Sequence, residues 1–116
     1  MGFFSTTEET RDLHRDIALR TRYYSNNFND VEKVIKSLTT HLSMELKQTN
    51  KNYGEMYLIG NGFDLIITAL EMNPLKTSVD IKCNYFGFIG MNKPKKIIEK
   101  IYAYLDSKLK RKELQY

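Results

Sequence analysis

Hydrophobic and polar positions follow two different periods along this chain. In residues 16–24, Ile17, Leu19, Thr21 and Tyr23 fall on one side of an extended segment, and Ala18, Arg20, Arg22 and Tyr24 on the other. Alternation of that kind, with branched and aromatic side chains, predicts a half-exposed strand. After a cluster of turn formers at 25–30 the period changes. Val31, Val34, Ile35, Leu38, Leu42 and Leu46 recur at spacings of three and four, the stripe of an amphipathic helix. Asn29 followed by Glu32 offers that helix a cap with a reciprocal partner. The polar run 48–52 is expected to end it.

The next two apolar runs, 53–59 and 63–72, flank Gly60-Asn61-Gly62. Asn-Gly between such runs predicts a tight hairpin, because both residues tolerate positive φ. The second arm is apolar on both faces, as strands covered on both sides are. After Asn73-Pro74, residues 77–85 alternate. Val79, Ile81, Cys83 and Tyr85 are expected to face inward, and Ser78, Asp80, Lys82 and Asn84 to face water. Residues 86–92 read as a loop or a short further strand. A last helix begins near Asn92–Pro94, where proline is tolerated, and Ile97, Ile98, Ile101, Leu105 and Leu109 form its stripe.

At the start of the chain, Ser5 with Glu8, or Thr6 with Glu9, has capping-box spacing. A short, frayed helix is expected in this polar stretch, 1–15, ahead of one domain over 16–116. The expected architecture is α+β: a two-layer sandwich with an antiparallel sheet of about four strands, in the order β-α-β-β-β-α, packed by two helices. Over 16–112 this element order resembles the TATA-binding-protein-like and helix-grip arrangements, in which a long C-terminal helix lies across an antiparallel sheet. The likeness is one of element order and implies no activity. Leu38, Leu42, Leu65, Ile67, Ile81, Ile101 and Leu105 are the expected core.

Composition narrows the setting. The 116 residues are one domain's worth, with 41% hydrophobic and 28% charged residues, an ordinary globular balance. A single cysteine, Cys83, excludes an internal disulfide and fits a reducing, cytoplasmic compartment. No apolar run approaches the roughly 20 residues of a membrane span. The acidic first ten residues lack the basic start and apolar centre of a signal peptide. Lys outnumbers Arg, and Asn, Ile and Tyr are frequent, a usage that fits an AT-rich bacterial genome. Charge is concentrated: 93–112 holds eight Lys or Arg against Glu99 and Asp106, a net +6 in a chain of net +4.

Candidate chemistry is sparse. Cys83, His14 and His41 are the only thiol and imidazoles, too few and too scattered for a nucleophilic centre or a metal site. There is no G-x-S-x-G, and Gly60-Asn61-Gly62 lacks the lysine and helix of a phosphate loop. Glu71 and Asp80 are a carboxylate pair that adjacent strands could bring together, although solvated strand-edge charges are the commoner arrangement. Met1-Gly2 with Thr6 matches a myristoylation pattern only formally. No enzymatic activity and no cofactor are expected.

The expected function is that of a small binding module that self-associates as a homodimer. Tyr57, Ile66, Leu70 and Met72 would form the interface on the open sheet face or its edge beside 77–85. Two alternatives belong to other classes. One is a nucleic-acid or other polyanion site made by Arg20, Arg22, Lys95, Lys96, Lys100, Arg111 and Lys112. The other is an apolar ligand held between the sheet and the last helix.

Overall fold

The computed structural model describes residues 6–87 and 92–112. Its centre is a meander whose inner residues are those the alternation selects. Strands Glu55–Gly60 (β4) and Phe63–Asn73 (β5) form the expected hairpin. Gly62 closes it with φ +84°, a conformation that glycine adopts without strain. Lys76–Tyr85 (β6) follows antiparallel, with Leu65 opposite Cys83 and Ile67 opposite Ile81. Glu45–Asn50 (β3) pairs with β4 on the other side. Beyond β6 lie Arg22–Tyr24 (β2) and Arg111–Lys112 (β7), while Thr6–Glu9 (β1) pairs with the other half of the same β6 edge. All pairings are antiparallel, in the order β3-β4-β5-β6-β2-β7 with β1 off that path.

The helices cover one face. Phe28–Lys36 (α1) buries Val31 and Ile35, and the short Leu38–His41 (α2) buries Leu38. Lys93–Lys108 (α3) starts with Pro94 in its first turn and buries Ile98, Ile101, Tyr102 and Leu105. These side chains pack onto Met56, Leu58, Leu65, Ile67, Val79, Ile81 and Cys83 from the sheet. The buried Tyr102 hydroxyl donates to the Val79 carbonyl at 2.7 Å, which fixes α3 against β6. No helix among the described residues is long and apolar enough to cross a membrane.

The structure corrects several sequence readings. The sheet has six to seven strands rather than about four. The start of the chain is a strand over Thr6–Glu9 instead of a frayed helix, because its backbone finds partners on β6 from Lys82 to Tyr85. Of 16–24, only Arg22–Tyr24 is a strand. Asp16 caps a single 3-10 turn, Ile17–Leu19, by accepting from the Ala18 N–H at 3.0 Å, and this breaks the alternation, leaving Ile17 exposed. The helix cap is Asn27, which accepts from Asp30 N–H, and not Asn29.

The stripe from Val31 to Leu46 is divided between helix and strand. Ser37 separates α1 from α2, and Ser43, with φ +52°, ends the helical path before β3. Leu42 therefore sits half-buried at the rim, whereas the other six expected core residues are buried. Ser78 is buried rather than wet, since Tyr23 of β2 lies opposite it, and Tyr85 is only half-buried. Phe3 and Phe4, the myristoylation match at Gly2 and most of the loop after Phe86 lie outside the described residues.

Candidate functional site

The two surfaces singled out by the sequence lie on opposite sides of the molecule. The basic surface is largely used up internally. Arg22 points into the layer between sheet and helix, over the Tyr102 ring at 4.6 Å, and pairs with Asp106. Asp106 also accepts from the Tyr24 hydroxyl at 2.8 Å and lies 3.6 Å from the Arg111 guanidinium. One carboxylate on α3 thus gathers two of the expected polyanion contacts and ties β2 and β7 to the helix. Beside it, burial and then the hydrogen bond to Asp106 hold the Tyr24 hydroxyl far above its ordinary pKa.

Arg20 donates through Nε to the His14 carbonyl at 2.8 Å. Lys95 pairs with Asp16 at 2.7 Å. What remains outward is Lys96 and Lys100 on the outer face of α3, with Lys112 exposed on the edge strand β7.

The Lys95–Asp16 pair closes one side of a polar cavity of about 320 Å³ at the N-terminal end of α3, where His14 and Glu8 also face it. The His14 Nδ1 accepts from the Asp16 N–H at 2.9 Å, and its Nε2 lies 3.5 Å from Glu8. Lys95 lowers the Asp16 pKa, chiefly by donating to it. A carboxylate with a lowered folded-state pKa contributes stability above its unfolded value of about 3.9. That contribution is lost as pH falls through the lowered value. NMR titration of the Asp16 carboxyl is expected to show this, and Lys95→Met should move its midpoint up.

Among the described residues, the candidate chemical groups stay apart. Glu71 and Asp80 do not meet: Glu71 accepts from the Phe28 N–H on the helix side, while Asp80 accepts from Thr10 and Thr21 on the open side. His41 packs against the Tyr104 ring. Burial, and then the nearby charge of Asp64, push the Cys83 thiol up to about 12, so it is not poised as a nucleophile. No group of three potential metal ligands forms among the described residues. Between sheet and α3, core side chains from both layers pack into one buried cluster. An apolar cleft of about 120 Å³, lined by Leu42, Met44, Phe63, Ile97, Lys100 and Ile101, lies at the rim.

Among the described residues, no helix lies on the opposite face of the sheet. By strand alternation Tyr57, Ile66 and Leu70 project there, and Met72 follows at an irregularity of the β5–β6 register. Leu70 is 50% and Met72 55% exposed, and Tyr57 and Ile66 are half-buried. The structure therefore places Tyr57, Ile66 and Leu70 on one side, with Met72 exposed at the end of β5. The edge of β6 beside 77–85, in contrast, is not free for a second molecule, because β2 and β1 already pair with it.

Polar groups share the open face. The Tyr57 hydroxyl donates to Asp64 at 2.8 Å, which raises its pKa, and Asn84 donates to the other oxygen of Asp64. Ile66 and Glu55 line two adjoining grooves. One, of about 200 Å³, also touches Gln48 and Tyr57; the other, of about 300 Å³, reaches Glu9, Asp80 and Lys82. The composition of this face, carboxylates around an apolar centre, was not singled out in the sequence, because its members come from four separate strands. The edge strand β3 is an unattractive docking site, since a register irregularity between Leu46 and Gln48 and the exposed Lys47 disrupt it. No family model, no curated protein and no solved structure matches the chain, so what these surfaces do rests on their own geometry and charge.

Proposed function

We propose that the chain is a non-enzymatic interaction module whose working surface is the open face of the sheet. One observation carries the reading: Leu70, 50% exposed, stands on the sheet face that no helix among the described residues covers, and Met72, 55% exposed, follows it at the end of β5. Leu75 at the β5–β6 turn is exposed as well. Contiguous exposed apolar surface is characteristic of interaction sites, whereas single exposed residues are not. Self-association is one form this reading takes, because a two-fold pair closes with a single self-complementary patch.

A photoactivatable side chain placed at position 70 in the living cell tests the proposal. A discrete protein adduct is expected from position 70 and none from position 96 on the outer face of α3. Equal labelling from both positions, or none from position 70, overturns it. Adducts with nucleic acid from position 96 would favour the polyanion alternative, for which Lys96 and Lys100 are the outward cations.

A further inference from the structure

The open face has an electrostatic character that narrows its partner. Glu9, Glu55, Asp64 and Asp80 lie on it by register, and none has an ion-pair partner among the described residues. Among the described residues the donors that hold Asp64 and Asp80 are neutral: Tyr57 and Asn84 for the first, Thr10 and Thr21 for the second. Glu9 and Glu55 are exposed. Lys82 is the cation within the groove, opposite Ile66 on β5 and Glu9 on β1. Three carboxylates against one lysine leave that groove net negative, in a chain whose total is +4.

The acidic character is therefore local. It surrounds Ile66 in the two grooves, and along the same face of β5 Thr68 and then the exposed Leu70 follow. From Ile66 to Leu70 the strand advances about 13 Å at roughly 3.3 Å per residue.

We propose that this face docks a cationic amphipathic segment of another protein, its apolar side chains on Ile66 and Leu70 and its lysines or arginines among Glu9, Glu55 and Asp80. The proposal rests on the interaction reading above and goes beyond it by naming the chemistry of the partner. Charge complementarity favours such an occupant over a two-fold copy of the same chain. Pairing this face with itself would set its unpaired carboxylates in one shared interface, and like charges juxtaposed there are unfavourable.

The test uses the full chain and two short peptides with the same leucine spacing, one alternating leucine with lysine and one alternating leucine with glutamate. Binding is read by fluorescence anisotropy, and sedimentation velocity reports self-association. The lysine peptide is expected to bind at least about tenfold more tightly than the glutamate peptide, with affinity falling as salt is raised. The double variant E9K/E55K should remove that preference, and Leu70→Asp should weaken binding of the lysine peptide. The double variant K96E/K100E, on the opposite surface, should change neither. All these positions are exposed, and thermal melts establish that each variant folds.

Equal affinity for the two peptides, or a preference that survives E9K/E55K, overturns the cationic partner. A dimer abolished by Leu70→Asp also overturns it, while leaving the interaction reading in place. If Leu70→Asp changes neither peptide binding nor self-association, both readings fail.

Discussion

An alanine at position 54 is expected to destabilise the protein by about 2–4 kcal/mol, although it adds a single methyl group. Gly54 ends the turn between β3 and β4 with φ +66°, in the left-handed region where an L side chain is strained. A Cβ placed there would stand 2.1 Å from the Ala69 carbonyl oxygen, which is backbone of the central strand and cannot swing aside. Relief requires the turn to lift away from β5. That movement threatens the hydrogen bond from the Ala69 N–H to the Gly54 carbonyl, 2.9 Å long in the native fold. Backbone strain of about 1–3 kcal/mol and a lost hydrogen bond of about 1 kcal/mol account for the total. Urea denaturation of Gly54→Ala against the native chain measures it. A loss below about 1 kcal/mol would show that the hairpin turn yields without disturbing β5.

The second large effect is expected at Ile101. Its side chain is inaccessible to solvent, on the face of α3 that packs onto the sheet. Ile101→Ala removes buried methyl and methylene groups and leaves a cavity that the rigid sheet can fill only partly. The expected cost is about 2–5 kcal/mol. Alanine itself favours the helix, so the loss cannot be ascribed to helix propensity. The midpoint of chemical denaturation should fall with little change in its slope. Ile101→Val, which removes less, should cost about 0.5–1.5 kcal/mol. A cost for Ile101→Ala no greater than that for Ile101→Val would mean that the layer beneath α3 collapses to close the gap.

The parts of this fold legible in the sequence are those whose residues face one dominant environment. The β4–β5 hairpin, β6 and α3 each bury one side, and burial imposes its period on the residues. β3 was hidden for the opposite reason. It is an edge strand, mostly exposed on both sides, and no alternation is required of Glu45, Lys47, Gln48 and Thr49. Its Leu46 also continues the spacing of Leu38 and Leu42, so a strand residue imitates the next turn of a helix. β1 and β2 draw their order from distant β6, a contact no local window contains. That Ile66 and Leu70 share one face was legible because they belong to a single strand. The pairing of the basic residues was not legible for a geometric reason: charge at Arg22, Lys95 and Arg111 is visible in sequence, but the acids that pair with it, Asp106 and Asp16, meet them only in three dimensions.

The way β6 is flanked has a kinetic consequence. On one side it joins a meander of neighbours in sequence, whose turns close short loops. On the other side Tyr85 meets Thr6 and Tyr24, already beside Thr77, meets Arg111. Those pairings join segments from opposite ends of the described chain, and each must recover the entropy of closing a long loop. The meander therefore orders early, and the outer edge is the last region to lock and the first to open. Amide exchange in the native state should be graded accordingly, slow at Ile67 and Ile81 and fast along the short strands that seal the edge.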